Sequence, residues 1–341
     1  MTVPVTVGLD GTPASMAAAD WGAREAALRG LPLRLVSAWE WQPFSYAPLA
    51  GSEMPEQWSV RVPEETAAEL RRRYPGLDVT ADRLTGPPPE VLCEAAKESE
   101  LLALGSTGLG PLAGFLLGSV AMATVAHTGR PVVLVRAPEG GQGEGQGGQG
   151  EGDGAEEDAG GEAGSGGGGN GGDGGASEAG DGAVVLGIDL SSPGDETIRF
   201  GFAAASVRSA PLRVINGWNP PPYFGHGIGD DEGRRAEAID RAAETMRAVL
   251  APWRERYPAV EVAEEPGIGR PARLLSEAGA GAGLVVVGRR ATPRRPGQPR
   301  IGHVAHAVLH HCPAPVAVVP SADVVPLAAV VPPSDVVPPA A

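Results

Sequence analysis

The chain has 341 residues, 42 acids against 27 lysines and arginines for a formal net charge of −15, and a high content of glycine (51) and proline (34). That length suits about two domains, and with no basic, aromatic-studded surface in sight a DNA partner is not expected. Two cysteines, Cys93 and Cys312, are too few for a disulfide framework, no stretch approaches the apolar run of a membrane span, and the start MTVPVTVGLDG lacks a basic region followed by a long apolar core. The expectation is a cytoplasmic protein with no membrane partner.

In chain order, Val3 to Gly8 is a β-branched run that reads as a strand, and Ser15 to Arg29 carries Ala, Leu and Trp at helical spacing until Gly30 stops it. Leu33 to Trp39 reads as a second strand, Glu64 to Tyr74 as a charged helix and Leu77 to Leu84 as a third strand. Pro89 to Lys97 makes a helix with proline in its first turn and Cys93 as a core residue, not a nucleophile. Leu101 to Leu104 is a buried strand, Ser119 to His127 a helix and Val132 to Val135 a last strand.

Residues 138–182 are almost wholly Gly, Glu, Asp, Ala, Gln and Ser, without lysine, arginine or large apolar side chains, and read as a disordered acidic linker. Eleven acids fall there, so the rest of the chain carries only about −4. Beyond the linker the pattern restarts. Asp10 of VTVGLDGTPAS recurs as Asp189 of VLGIDLSSPGD, and PLRLVSAWEW from Pro32 recurs as PLRVINGWNP from Pro211, both at an offset of 179. GSVAMATVAHTGRPVVLV from Gly118 recurs as GHVAHAVLHHCPAPVAVV from Gly302. The organisation is a tandem duplication: a first domain over 1–137, the linker 138–182, a second domain over 183–320, and a Pro-rich disordered tail over 321–341.

Strands alternating with helices imply a mostly parallel sheet covered on both faces, with ligands outside the carboxyl ends of the strands where the strand order reverses. Asp10 ends the first strand. The loop GSTGLGPLAGFLLGS, residues 105–119, follows the fourth. Glycines let backbone approach a ligand closely, and a helix opening at Gly118 presents unpaired N–H groups and a positive dipole end, so phosphate is the ligand this loop suits.

These segments resemble the universal stress protein family, whose nucleotide-binding members carry G-x2-G-x9-G-[S/T] after the fourth strand. Gly105, Gly108, Gly118 and Ser119 satisfy every position. The resemblance implies an α/β protein of two tandem flavodoxin-like (Rossmann-like) domains, each a five-stranded parallel sheet of order 3-2-1-4-5 with helices on both faces. It implies ATP, with Mg, as ligand. By position Asp10 would contact the adenosine part, Ala38 would lie near the base through its backbone, and Gly108, Gly118, Ser119 and Val120 would line the phosphates. Because the family dimerises through its last strands, the two copies would form an internal pseudo-dimer; a homodimer of chains is also compatible.

The second copy keeps Asp189, Gly288 and Gly302 as a weaker second site, but Ala291 stands where the second glycine belongs and His303 replaces the hydroxyl. RRATPRRPGQPR holds Arg289, Arg290, Arg294, Arg295 and Arg300 with three prolines that cannot donate N–H, which argues against a backbone cradle for a second nucleotide. Arginines there could still clamp phosphate. The division of labour this suggests is a first copy that binds and a second that scaffolds or regulates.

GHGIG at Gly225 to Gly229 reads as loop, and no GxxxxGK[ST] occurs. His303, His306 and His310 share a helix face close enough for a transition metal; the plainer reading is that His311 matches His127 and the others are surface residues, and no metal is assigned. No catalytic residue is assigned either, since no paired carboxylate or placed His activates a water. The leading function is an ATP-binding stress-response sensor or regulator acting on protein partners through nucleotide-dependent interactions. Its alternatives are a weak ATPase with His127 or Asp10 as base, and a nucleotide-independent interaction module.

Overall fold

The structure is a computed structural model that describes residues 2–39, 55–108, 115–116, 118–137, 182–218, 231–289 and 301–321. The linker from 138 to 181, the tail beyond 321, GHGIG and the stretch from Arg290 to Arg300 lie outside the described residues. Apolar runs without polar alternation become strands buried on both faces, with Val5, Val7, Leu33, Leu35, Leu101 and Leu102 all fully buried.

In the first domain these are β1 (Val5–Gly8), β2 (Leu33–Trp39), β3 (Val79–Thr85), β4 (Leu101–Gly108), a two-residue β5 (Phe115–Leu116) and β6 (Val132–Arg136). Between them run α1 (Pro13–Arg29), α2 (Pro55–Arg73), α3 (Pro88–Lys97) and α4 (Ser119–His127). The second domain repeats the plan with β7 (Val184–Gly187), α5 (Asp195–Arg208), β8 (Leu212–Trp218), α6 (Asp231–Arg256), β9 (Val262–Ile268), α7 (Pro271–Ala278), β10 (Leu284–Arg289), α8 (His303–His311) and β11 (Val316–Pro320). Capping sets the ends of α1. Thr12 Oγ1 accepts from Ser15 N at 3.2 Å, Pro13 opens the helix, and Gly30, at φ 63, closes it in the left-handed region.

Two expectations need correction. The second helix starts at Pro55, inside which Pro63 sits, so a proline that reads as a helix start is in fact interior. The loop after β4 opens with a hairpin, Thr107 pairing with Leu116 and Gly108 with Phe115, that a two-residue strand is too short to announce.

Strand order is β3-β2-β1-β4-β6 in the first domain and β11-β10-β7-β8-β9 in the second, each a parallel sheet of order 3-2-1-4-5 by its main strands. The two last strands meet antiparallel, Val132 opposite Val318 and Leu134 opposite Val316, so ten strands run edge to edge through both domains.

Side chains lock this junction. At the carboxyl end of β10, Arg289, 5% exposed, donates to Val125 O and, at 2.8 Å, to Thr128 O at the end of α4. From β6, Arg136 donates to Leu309 O, the equivalent carbonyl of α8, at 2.8 Å. Each helix therefore ends on a cation from the other domain, where its dipole is negative. On the opposite face Glu25 of α1, 2% exposed, bonds Arg29 at 2.7 Å and takes a second bond from Arg208 of α5. Burial pushes the Arg208 guanidinium below its ordinary range, and Glu25 pulls it partly back.

Removing that shared carboxylate would leave Arg208 buried without its counter-charge and Arg29 with only Glu100, 3.7 Å away. Glu25→Ala is expected to lower unfolding stability by about 3–5 kcal/mol, read as a fall in the urea midpoint; an unchanged midpoint would show that the junction does not depend on this triad.

Candidate functional site

In the first domain Gly8 pairs with Val36 on one side and Leu104 on the other, so strand order reverses at β1. The carboxyl ends of β1, β2 and β4 thereby bring Asp10, Ala38 and Gly105 to one end of the sheet. Asp10 is exposed, and its Oδ1 accepts from Thr12 N at 3.0 Å and Thr12 Oγ1 at 2.6 Å; its Oδ2 takes no hydrogen bond among the described residues. Ala38 is half-buried and packs against the core cluster that includes Val36, Leu92 and Leu104.

Gly118 is the N-cap of α4 with φ −59 and makes no side-chain cap bond, and among the described residues nothing lies within 4 Å of where its Cβ would sit. The first intrahelical bond there runs from Met122 N to Gly118 O at 3.1 Å. The N–H groups of Ser119, Val120 and Ala121 precede it and have no helical acceptor.

Gly105 has a different role. A Cβ there would stand 2.4 Å from Ala14 C and Ser15 N, so this glycine lets β4 pass against the first turn of α1. Gly108 lies in the ladder opposite Phe115, and residues 109–114 are outside the described residues. His127 closes α4 at the far end, its Nδ1–H donating to Ala123 O at 2.8 Å. At 1.5 Å per residue it is about 12 Å along the axis from Ser119, which removes it as a base for a phosphate at the helix start.

The second domain repeats the constellation. Asp189 Oδ1 accepts from Ser191 N at 2.9 Å and Ser191 Oγ at 2.5 Å, the same turn as at Asp10. Gly302 caps α8 with φ −58 and, among the described residues, open space at its Cβ position, while a Cβ on Gly288 would meet Thr197 Oγ1 at 2.9 Å. Asp189, Gly288 and Gly302 all line one cavity of about 1340 Å³ that runs from the carboxyl ends of β7 to β10 across to α6 and the start of α8. Thr197, Asn216, Trp218 and Ile239 line it too. Sequence reading missed these four. For two of them the signal lay in the difference between copies: Asn216 stands where the first has Ser37, and Thr197 where it has Ala18, whereas Trp218 matches Trp39.

Arg289 is not available as a phosphate clamp, because the carbonyls of Val125 and Thr128 hold its guanidinium, which burial pushes down to about 10. On α8 the rings of His306 and His310 lie 4.4 Å apart, and burial together with His310 pushes His306 down. No group of three or more His, Cys, Asp or Glu among the described residues could hold a metal ion. Cys93 is buried within α3, and burial pushes its thiol up to about 11 against the pull of Arg289.

Two outcomes follow from this geometry. Gly105→Ala should destabilise the chain by about 1–3 kcal/mol through overpacking, whereas Gly118→Ala should cost about 1 kcal/mol at most; equal losses in a denaturant titration would contradict the assignment. The Cys93 thiol is raised above its unfolded value of 9.0, so its contribution is present below pH 9 and lost as pH rises toward 11. Relative to Cys93→Ala, the parent chain should lose up to about 2–3 kcal/mol between pH 8 and 11; a pH-independent difference would contradict it.

The family model that matches this sequence is that of the Universal stress protein family, over residues 1–136 and 182–320. Universal stress protein Rv2005c of Mycobacterium tuberculosis is 30% identical over 330 residues, covering 92% of this chain and 96% of that protein. The crystal structure of a universal stress protein from Archaeoglobus fulgidus DSM 4304 covers 94% of this chain and 99% of its own at a TM-score of 0.61 and 14% identity, a likeness of fold. Another Archaeoglobus fulgidus universal stress protein, solved in complex with dAMP, covers 39% of this chain and 97% of its own at 18% identity and a TM-score of 0.29.

Proposed function

Since this chain belongs to the universal stress protein family through both of its domains, we propose that its first domain binds an adenine nucleotide, ATP with Mg, and that occupancy of this site governs interactions with protein partners. The observation that carries the reading is the opening of α4 at Gly118 and Ser119. It offers three N–H groups and no side-chain cap at the switch point of a parallel sheet, and none of the described residues crowds the Cβ position of Gly118.

Each group then has one task. The amides of Ser119 and Val120 and the Ser119 hydroxyl donate to phosphate oxygens, and Asp10 Oδ2 accepts from a ribose hydroxyl. The backbone of Ala38 borders the base. Mg supplies positive charge to the phosphates. No side chain is assigned to water activation, so the role is binding, with the family's regulatory use of the bound state.

We take the cytoplasm as the compartment: among the described residues no helix is long and apolar enough to cross a membrane, and both cysteines are free and buried. The division into domains at 1–137 and 183–320 about an acidic linker is part of the same reading. Because β6 and β11 pair with each other, a homodimer of chains would need a surface other than the last strands.

Calorimetric titration of the nucleotide-stripped chain with Mg-ATP tests the reading. Gly118→Asp, which sets a carboxylate at the helix start without steric conflict, should weaken ATP binding by at least about tenfold. Equal affinity in the variant, or no binding to the parent chain at millimolar ATP, would overturn it.

A further inference from the structure

Two histidines on α8 stand where the fold asks for none. The helix buries Ala305, Val308 and Leu309 against the core, and His306 and His310 lie on its flank one turn apart, the first exposed and the second half-buried. In the first domain the equivalent positions of α4 hold Met122 and Ala126, and that helix has the same length and the same glycine cap. Neither imidazole is therefore needed to build the helix. Yet the two rings meet, their centroids 4.4 Å apart and their planes tilted by 40°.

That spacing matches two ligands of one cation. Imidazoles that bind a metal ion at about 2.0–2.1 Å put their ring centroids about 3.2 Å from it, hence about 4.5 Å apart at a right angle and about 5.2 Å apart at a tetrahedral angle. The observed value fits the right-angled pair of a tetragonal or octahedral centre. The groups nearby are engaged otherwise. The His311 ring is 6.5 Å from that of His310, Cys312 is fully buried in the core, and Glu277 of α7, packed alongside α8, bonds Arg273 at 2.7 Å. No third His, Cys, Asp or Glu joins the pair among the described residues, so water fills the remaining positions. Such a set is not a closed structural zinc site, and two imidazoles with water in a tetragonal arrangement suit Cu2+, then Ni2+.

We propose that His306 and His310 form a two-imidazole site on the surface of α8 for a borderline divalent transition-metal cation, with Cu2+ preferred. Because the ligands sit one turn apart, the bound ion clamps the second half of the helix, whose Leu309 carbonyl takes the bond from Arg136 across the domain junction. Neither histidine lines the cavity of the second domain, so the site is separate from both crevices and independent of their ligands.

The test titrates Cu2+, Ni2+ and Zn2+ separately into the metal-free full chain, and pulsed electron paramagnetic resonance counts the imidazole nitrogens on bound copper. One Cu2+ per chain with two imidazoles is expected, bound at least about tenfold tighter than Zn2+. His306→Ala and His310→Ala, changes to a good helix former at positions outside the core, should each leave one imidazole and weaken Cu2+ by at least about tenfold, because the chelate is lost. His303→Ala should change the affinity by less than about twofold. The resonance count on the parent chain tests the site even if a variant fails to fold. One imidazole or none on copper in the parent chain, an affinity unmoved by either alanine, a loss with His303→Ala equal to theirs, or Zn2+ tighter than Cu2+ would overturn the proposal.

Discussion

The antiparallel pairing of β6 with β11 is the contact on which the rest of the molecule is arranged. It closes the edge that each parallel sheet would otherwise expose and turns two domains into one ten-strand surface. It also carries Arg136 and Arg289 across the junction to equivalent carbonyls, Leu309 and Val125, at the ends of α8 and α4. Both guanidinium groups are pushed down to about 10 by burial and still keep their charge at neutral pH. The helix whose start faces each crevice is therefore anchored at its other end by the neighbouring domain.

Duplication then allowed the two crevices to diverge without disturbing that frame. Asp10 and Asp189 form the same turn, and Gly118 and Gly302 cap the same helix with the same backbone angles. What changed is the lining. Ser119 became His303, Ser37 became Asn216, and α5 gained acids at its start. A backbone cradle suits phosphate whatever the side chains are, so the first domain can be recognised from glycine spacing alone. The side chains that line the second crevice come from several separate elements and are seen together only in the fold.

That distinction also explains how much could be read in advance. Whereas the strand order came only from the resemblance to the family, the repeat, the alternation of strands with helices and the helix over residues 119–127 were legible because apolar runs, glycine stops and their recurrence at a fixed offset are local signals. The start of α2 was not, because Pro63 imitates a helix start, and β5 is too short to show a period. Gly105 looked like part of a phosphate loop, yet a Cβ there collides with α1, a fact of tertiary approach that no spacing shows. Arg289 looked like the first member of a phosphate clamp; its side chain instead turns across the junction, a direction fixed only once β6 and β11 have paired.

The central claim is that the opening turn of α4 holds phosphate while that of α8 does not. Amide hydrogen exchange, followed with and without Mg-ATP, reads both turns in one experiment. Slowed exchange at Ser119, Val120 and Ala121, with His303, Val304 and Ala305 unchanged, is the predicted result. Protection at the start of α8 alone, or at neither helix, would contradict the account.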